Sequence, residues 1–391
     1  MVKNGLLSAT MLVACAVTQV AFTNAQAEPL PVETIPNVAT LPATYSKDWL
    51  FVHDENFNSL LDGRVILMDL SQDNHNYKGA MGAGMFASFL QSSTRPEMYV
   101  AETYYSRGSR GDRVDVLTIY DTENLSPIEE IALPDGKRSM SVAQKGSLQL
   151  TGNEKFLLVF NFTPAASVSI IDVETRKIMS DIQIPGCSLI YPLGAQGFST
   201  LCGNGTMASF SVNDAGIAKR GASTEAFNNI DDNPLFMKSV TVGGITYFPS
   251  FGGALQAVDM KSDTPKPLNS WTFVDTDKST TGWRPSGWQV IAANDKDGYV
   301  YTLMRENAAP GDHKYGGSEV WVLDPVKKEI VRRITLNAPA ISIELTAGET
   351  PYLAAANEHS TLDIYTAATG TYLRTITVGM AANPFLLHAV K

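Results

Sequence analysis

Two of the chain's five tryptophans lie five residues apart in the stretch TGWRPSGWQV, residues 281–290. Paired tryptophans can be oxidised to a redox-active quinone, form a rigid binding surface, or pack in a core. The glycines and proline of the stretch predict a tight turn around Trp283, Arg284 and Trp288. The spacing alone gives no support to a quinone, and core packing is the simplest role for at least one of the pair.

A second candidate is an arginine-rich insertion, YYSRGSRGDRVD, residues 104–115, between two expected strands. Its arginines include Arg107 and Arg110, and a guanidinium group binds a partner's carboxylate through two parallel hydrogen bonds. A solvated loop of the same composition is the alternative. Composition does not separate the two.

The five histidines match no catalytic or metal-binding pattern: His53, His75, His313, His359 and His388. None has the HExxH spacing, and the chain contains no GxSxG turn, no Walker A loop and no CxxCH haem site. A metal held by side chains from separate parts of the fold stays open. The motifs therefore predict no catalytic residue and no metal ligand in this chain.

The N-terminus predicts a secretory signal peptide over residues 1–27. Lys3 precedes an apolar run that ends before Ala25-Gln26-Ala27, an A-x-A cleavage site. The alternatives are an uncleaved membrane anchor and a lipobox, which would leave a lipidated Cys15. Beyond this run no segment approaches the ~20 apolar residues needed to span a bilayer. The chain is therefore expected outside the cytoplasm, with no membrane span.

Removal of the signal peptide would leave two cysteines, Cys187 and Cys202. An exported compartment is oxidising, and two remaining cysteines there usually pair. The sequence therefore favours a local disulfide over two buried free thiols.

The net charge of −10 is spread along the chain, and no Lys/Arg-rich run appears. A nucleic-acid or anionic-membrane surface is therefore not expected. An acidic surface suits a soluble protein and can steer a basic partner.

The elements that position these candidates come from a repeat. Seven copies share an apolar strand, a loop, an alternating strand that ends in Asp, a short turn and a further strand. The residues that end the alternating strand are Asp69, Asp121, Asp172, Asp214 in a weaker fourth copy, Asp259, Asp324, and Thr366 in place of Asp in the seventh. Each carboxylate is expected to accept backbone N–H bonds in the turn that follows.

The repeat interval, about 40 to 65 residues, is typical of four-stranded propeller blades. Alternating segments such as VDVLTIYD predict strands with one buried face. The sequence therefore predicts an all-β fold, a seven-bladed β-propeller over residues 45–391, after an extended Pro-rich arm over residues 28–44.

These motifs together resemble a known family, the large (heavy) subunits of the tryptophan tryptophylquinone amine dehydrogenases. The similar segments are GWRPSGWQ, TYYSRGSRGDRVDVLTIYD, FTPAASVSIIDVE, the pairing of GDHK with EVWVLD, and the spacing of Cys187 and Cys202. The resemblance extends over essentially the whole mature chain. WRPSGW is more similar to the methylamine branch and HKY…EVWVLD to the aromatic branch; the methylamine branch is favoured.

The resemblance implies a non-catalytic propeller subunit with no prosthetic group of its own. The tryptophan tryptophylquinone would lie in a cysteine-rich small (light) subunit, and two of each would form a periplasmic α2β2 heterotetramer. The assembly would oxidise a primary amine to an aldehyde and ammonia and pass electrons to a blue-copper protein of the amicyanin or azurin type. Trp283 and Trp288 would then not be quinone precursors but part of the docking surface or the packing beside it.

The resemblance also assigns residues. Phe57, in HDENFNSLLDGRV, matches the phenylalanine that lines the entrance to the quinone pocket; packing within the first blade is the alternative. Cys187 and Cys202 match an internal disulfide, and Arg107, Arg110, Trp283, Arg284 and Trp288 are candidates for the subunit interface. Two other functions stay open: a lactonase-like propeller with a metal in its central channel, and a secreted binding propeller.

Overall fold

The computed structural model describes residues 39–379 and 381–391, and their regular structure is almost entirely β-strand. The predicted signal peptide, residues 1–27, and residues 28–38 of the predicted arm lie outside the described residues. The described helices are single 3-10 turns at Leu60–Asp62, Pro134–Gly136, Lys145–Ser147 and Asp312–Lys314. Within the described part of the chain, no helix has the length and apolar character needed to cross a membrane.

The strands form antiparallel sheets in which sequence neighbours pair. The first sheet contains β1 (Trp49–Asp54), β2 (Arg64–Asp69), β3 (Tyr77–Gly82) and the last strand of the chain, β29 (Pro384–Ala389). The second contains β4 (Ser88–Gln91), β5 (Glu97–Tyr105), β6 (Arg113–Asp121) and β7 (Pro127–Leu133). The third contains β8 (Leu148–Leu150), β9 (Phe156–Asn161), β10 (Ser167–Asp172) and β11 (Lys177–Gln183).

The remaining strands form three further sheets. One contains β12 (Cys187–Leu193), β13 (Gly197–Cys202), β14 (Met207–Val212) and β15 (Ala218–Ser223). The next contains β16 (Val240–Val242), β17 (Ile245–Pro249), β18 (Ala254–Asp259), β19 (Lys266–Pro267) and β20 (Trp271–Thr272). The last contains β21 (Arg284–Pro285), β22 (Ile291–Ala293), β23 (Val300–Arg305), β24 (Gly317–Asp324), β25 (Glu329–Leu345), β26 (Tyr352–Asn357), β27 (Thr361–Thr366) and β28 (Tyr372–Thr377).

The sheet of β21 to β28 is continuous only because of one long strand. The first part of β25, residues 329–335, pairs with β24. Its last part, residues 342–345, pairs with β26. Two groups of strands are therefore joined through the middle of β25.

The sheets pack face to face in a closed cycle. Apolar clusters join the first sheet to the second, the second to the third, and so on along the chain. A last cluster joins Leu362 and Ile376, from the end of the chain, to Leu50 and Ile66 of the first sheet. Each apolar face is removed from water by its neighbour, which stabilises the fold by about 25 cal/mol per Å². The arrangement is an all-β propeller.

Packing on both faces corrects one detail of the sequence analysis. The alternation in VDVLTIYD predicts one buried face, but residues 115–120 of β6 are all buried. The polar residues Asp115 and Thr118 lie on opposite faces of β6 and are hydrogen-bonded to Thr103 and Glu102 on the adjacent strand β5 rather than solvated. Alternation of residue type therefore predicts the strand, but it does not show that the polar side faces solvent.

The predicted role of the repeated aspartates is confirmed in most repeats. Oδ1 of Asp172 accepts backbone N–H bonds from Glu174 and Thr175 at 3.1 and 2.7 Å. Side chains that do the same in their own turns are Asp69, Asp121, Asp259, Asp324 and, through its hydroxyl, Thr366. The fourth repeat differs, because Asn213 accepts these turn bonds and Asp214 pairs with Lys155.

The start of the described chain is attached to the second sheet. The N–H of Leu41 donates to the carbonyl of Glu123 at 2.8 Å, in the turn between β6 and β7. Leu41 packs against the cluster that contains Tyr45 and Trp49. The last residues of the predicted arm are therefore held on the propeller.

The expected disulfide is present. Cys187 and Cys202 are bonded and lie directly opposite each other on β12 and β13. The bond therefore joins neighbouring strands within one sheet, away from the contact between β1 and β29.

We predict that a Cys187→Ala/Cys202→Ala variant loses about 3 kcal/mol of unfolding free energy, because the bond closes a short loop in the unfolded chain. The ring should stay closed, since the bond lies in a different sheet from β1 and β29. Denaturant unfolding would measure the loss, and hydrogen exchange would compare β12 with β1. Lost protection in β1 would contradict the local role.

Candidate functional site

The predicted turn of TGWRPSGWQV separates its two tryptophans instead of pairing them. Trp283 is 6% exposed and packs on Trp321, with ring centroids 5.5 Å apart. The guanidinium group of Arg333 lies 4.6 Å from both rings. Arg284 forms an ion pair with Asp275 at 2.7 Å. Trp283 thus has the packing role, and its burial leaves little of the ring for a partner.

Trp288 belongs to a different part of the molecule. Its ring lies 5.2 Å from that of Phe385 on β29. Phe385 in turn makes an edge-to-face contact with Phe57 at 5.0 Å. We call Phe57, Phe385 and Trp288 the aromatic row. Two of its members, Phe57 and Trp288, are sequence candidates, and the structure brings them together through a third that no motif indicated.

Phe57 ends the row at the surface, with 43% of its side chain exposed. Its backbone is held by the end of the chain, because its N–H donates to Oδ1 of Asn383 at 2.9 Å. The buried carboxylate of Asp54 accepts the N–H groups of Ala382 and Asn383, both at 2.8 Å. An exposed phenyl ring is therefore held on a backbone that hydrogen bonds fix in place.

A hydrogen-bonded chain fixes the inner end of the row. Nε1 of Trp288 donates to the carbonyl of Ala143 at 2.9 Å, and the N–H of Ala143 donates to Oε1 of Glu55 at 3.0 Å. The backbone N–H and C=O of Ala143 thus connect Glu55, two positions before Phe57, with Trp288. Glu55 is 2% exposed, and its Oε2 has no hydrogen-bond partner among the described residues.

Burial raises the pKa of Glu55 to about 7, against smaller lowering effects of the Ala143 hydrogen bond and the charge of Arg138. The guanidinium group of Arg138 is buried and donates to the carbonyls of Met85 and Phe86. Its hydrogen bonds are thus directed elsewhere, and Glu55 exchanges its proton near neutral pH instead of near pH 4.5.

The residues around Trp288 explain the rest of the motif. Gly287 has φ of +129°, and a methyl group there would lie 2.7 Å from the carbonyl oxygen of Ile341. Only glycine permits this close approach. Gln289 is buried and bonds to both N–H and C=O of Leu387 on β29, at 2.9 and 3.1 Å. The motif therefore attaches this turn to the strand that closes the ring.

The row adjoins a central cavity of about 560 Å³. Its wall takes residues from five of the six sheets, through β8, β12, β16, β22 and β29: Gln149, Ile190, Thr241, Ile291 and Leu386. Trp288 lines the cavity, and the ammonium group of Lys238 lies 4.1 Å from the centre of its ring. The aromatic row therefore extends from the surface to the cavity.

The arginine-rich segment forms the exposed loop between β5 and β6, as expected. Arg107 and Arg110 are exposed, and their guanidinium groups have no ion pair with any residue that the structure describes. A methyl group at Gly108 would lie 3.4 Å from Cδ1 of Leu61, which follows Phe57 in the loop between β1 and β2. Both loops therefore contribute to one surface.

The histidines fit packing or loop roles. His53 is buried on β1, its ring centroid 6.4 Å from that of the half-buried His388 on β29, and desolvation lowers the pKa of His53 to about 4. In the described residues, no three His, Cys, Asp or Glu side chains are grouped as a metal site would require.

Three members of the site were missed by sequence reasoning: Phe385, Glu55 and Lys238. Phe385 lies more than 300 residues from Phe57 in the chain, and no local pattern reports that contact. Glu55 flanks Phe57 in HDENFN and looks like a loop carboxylate, although it is buried. Its one available signal was its position directly after a fully buried strand.

We predict that Glu55→Gln stabilises the chain at pH 8 by on the order of 1–3 kcal/mol and changes little at pH 5. The folded pKa of Glu55, about 7, exceeds its ordinary value of 4.5, so the folded state binds the proton more tightly. Unfolding free energy therefore falls as pH rises through this window. Glutamine still accepts the Ala143 N–H and cannot ionise.

Denaturant unfolding of both proteins at pH 5 and pH 8 measures the difference. Glu225→Gln, on an exposed segment, is the matched control and should give the same result at both values. An equal effect of Glu55→Gln at the two pH values would show that Glu55 ionises normally.

Comparison with known proteins follows this geometry. A family model described as methylamine dehydrogenase heavy chain (MADH) matches residues 53–386. The methylamine dehydrogenase heavy chain of Methylobacillus flagellatus is 29% identical over 304 residues, covering 76% of this chain and 74% of that protein. That of Methylophilus methylotrophus is 27% identical over 348 residues, covering 87% and 83%.

Solved structures share the fold at lower identity. A periplasmic gluconolactonase of Pseudomonas aeruginosa has a TM-score of 0.60 at 12% identity, covering 87% of this chain and 98% of that chain. A dihydro-heme d1 dehydrogenase has a TM-score of 0.55 at 14% identity, covering 88% and 76%. These two likenesses concern the fold alone. The family model, by contrast, matches residues 53–386, which is most of the chain. This chain belongs to the methylamine dehydrogenase heavy chain family.

Proposed function

We propose that this chain is the large subunit of a periplasmic amine dehydrogenase that oxidises a primary amine, with methylamine favoured. The amine and water become an aldehyde and ammonia, and two electrons and two protons are released. Family membership carries this proposal, since the matched relatives are methylamine dehydrogenase heavy chains. The aromatic branch, suggested by the HKY…EVWVLD segment, stays the alternative for the substrate.

We infer seven blades in the ring. Five sheets of four or five strands each make one blade, and the sheet of β21 to β28 divides at the middle of β25 into two more. This division matches the seven repeats of the sequence. The blades would span residues 45–391, after a cleaved signal peptide at residues 1–27 and an arm at residues 28–44.

We propose that the redox group lies on a partner chain, as the family membership implies, and the contacts of Trp283, Trp288 and Trp321 agree with this. Among the described residues, the ring contacts of Trp288 are with Phe385 and Lys238 and with no second tryptophan. Trp283 and Trp321 are neighbours, yet both are buried, and Nε1 of Trp321 is bonded to Glu319. The tryptophan tryptophylquinone would belong to a light subunit in an α2β2 heterotetramer and would supply the two-electron oxidation.

Phe57 is the residue of this chain proposed to meet the substrate channel. Its ring is exposed while its backbone is anchored to Asn383 and its edge is supported by Phe385. An aromatic wall of this kind limits amine size by sterics, at about 1–3 kcal/mol per methylene of misfit. The residue selects substrate and takes no part in the chemistry.

The surface around Phe57 is proposed as the interface with the light subunit. Leu61 and Tyr104 are both more than 40% exposed there. Arg107 and Arg110 lie in the adjoining loop with free guanidinium groups for a partner's carboxylates. Trp288 would support this surface from within. Trp283 and Arg284, held by their own packing and ion pair, would contribute least. Electrons would leave the assembly to a blue-copper protein.

We predict that amine oxidation requires both subunits. The chain expressed alone should show no quinone absorbance and no amine-dependent reduction of a dye. Purification from the native host should give a small, cysteine-rich subunit in equal amount, measured by intact mass and gel densitometry. Amine oxidation by the chain alone would overturn the scaffold role.

We also predict that Phe57→Ala widens the amine range of the assembled enzyme and preserves turnover of short amines. Removing the ring opens the proposed channel, so kcat/KM for butylamine relative to methylamine should rise by about tenfold or more. Phe162→Ala is the matched control, because Phe162 is also exposed, in the loop between β9 and β10. An unchanged ratio in Phe57→Ala, with the complex intact, would remove Phe57 from the channel.

A further inference from the structure

The central cavity is cationic, in contrast to the chain as a whole. Lys145, Lys238 and Lys261 line it, and no carboxylate is among its lining residues in the described part of the chain. The net charge of the full chain is −10. The cavity therefore collects positive charge, the less common sign in this chain, in a partly enclosed space. Charges interact more strongly there than at an open surface.

Two of the three lysines lack a counter-ion. Lys145 forms an ion pair with Glu344. Neither Lys238 nor Lys261 has a side-chain hydrogen bond or an ion pair with any described residue. Among the described residues, the one partner found for the Lys238 ammonium group is the ring of Trp288, at 4.1 Å. Lys238 is half-buried, and the partial desolvation of its ammonium group lowers its pKa to about 8.

The rest of the wall is largely apolar. Ile190, Pro192, Met237, Met260, Ile291 and Leu386 all face the cavity. Its volume of about 560 Å³ lies within the range of small-molecule sites. Such sites combine an apolar wall with a few polar groups that fix orientation. Here the charged groups of the wall are all cations, beside neutral glutamine, serine and threonine side chains, so the matching ligand is an anion with a hydrocarbon body.

We propose that the central cavity binds an organic carboxylate, with its carboxylate group on Lys238, its apolar body against the aliphatic wall and Trp288, and the more exposed Lys261 adding positive charge at the rim of the same cavity. Inorganic anions would satisfy the lysines but leave the apolar wall exposed to water. An apolar alcohol would cover the wall and leave both lysines unpaired. The amphiphilic ligand satisfies both requirements.

Isothermal titration calorimetry with octanoate tests the proposal, on the full mature chain and on its complex with the light subunit. We expect one octanoate per chain, with binding weakened about tenfold or more by Lys238→Met, since a hydrogen-bonded charge pair is lost. Lys261→Met should weaken binding to a smaller extent. Lys219→Met, on the exposed strand β15, is the matched control and should leave the affinity unchanged.

Two further ligands and one independent measurement complete the test. Sulfate or 1-octanol binding as tightly as octanoate would overturn the proposal, as would octanoate affinity that is equal in Lys238→Met and wild type. Acetylation by acetic anhydride, followed by peptide mass spectrometry, probes the wild type without mutation. Octanoate should protect Lys238 and not Lys219. Unprotected Lys238 at saturating octanoate would place the ligand elsewhere.

Discussion

The pairing of the last strand with the first is the contact on which the rest of this structure depends. β29 pairs with β1 over residues 384–389, and the adjoining cluster packs the end of the chain against the first sheet. A propeller without this pairing would expose two strand edges and two apolar sheet faces. Closure also creates the site, because Phe385 belongs to β29 and Phe57 follows β1. The aromatic row exists only in the closed ring.

The polar contacts at the closure are as important as the apolar ones. Gln289 bonds to Leu387, Ser342 donates to the carbonyl of Phe385 at 2.6 Å, and Asp54 holds the segment before β29. All of these groups are buried or nearly so, and a buried polar group that loses its partner costs about 1–3 kcal/mol. A displaced β29 would therefore leave several such groups unpaired at once. This fixes the register of the last strand, and with it the position of Phe57.

The sequence predicted what is encoded locally and missed what closure brings together. The strand–turn repeat, the turn aspartates and the disulfide between Cys187 and Cys202 depend on residues close in the chain. The contact between Phe57 and Phe385 joins two distant parts of the chain. The burial of Glu55 and the position of Lys238 against Trp288 depend on loops from several sheets. Alternation misled on β6 because a strand between two neighbouring sheets has no solvent face. The prediction that Asp214 accepts the hydrogen bonds of its turn was wrong, because Asn213, one residue earlier, accepts them instead.

The charge of the cavity also bears on the path of the proposed substrate. A primary amine carries a positive charge at neutral pH, and Lys238 lies on the inner side of Trp288, with Lys261 in the same cavity. At ~4 Å two such charges repel by about 4 kcal/mol at an effective dielectric constant near 20. An ammonium substrate is therefore disfavoured along the axis of the ring. The aromatic row then separates a cationic interior, suited to carboxylates, from the outer surface at Phe57, where the proposed substrate channel would meet a partner subunit.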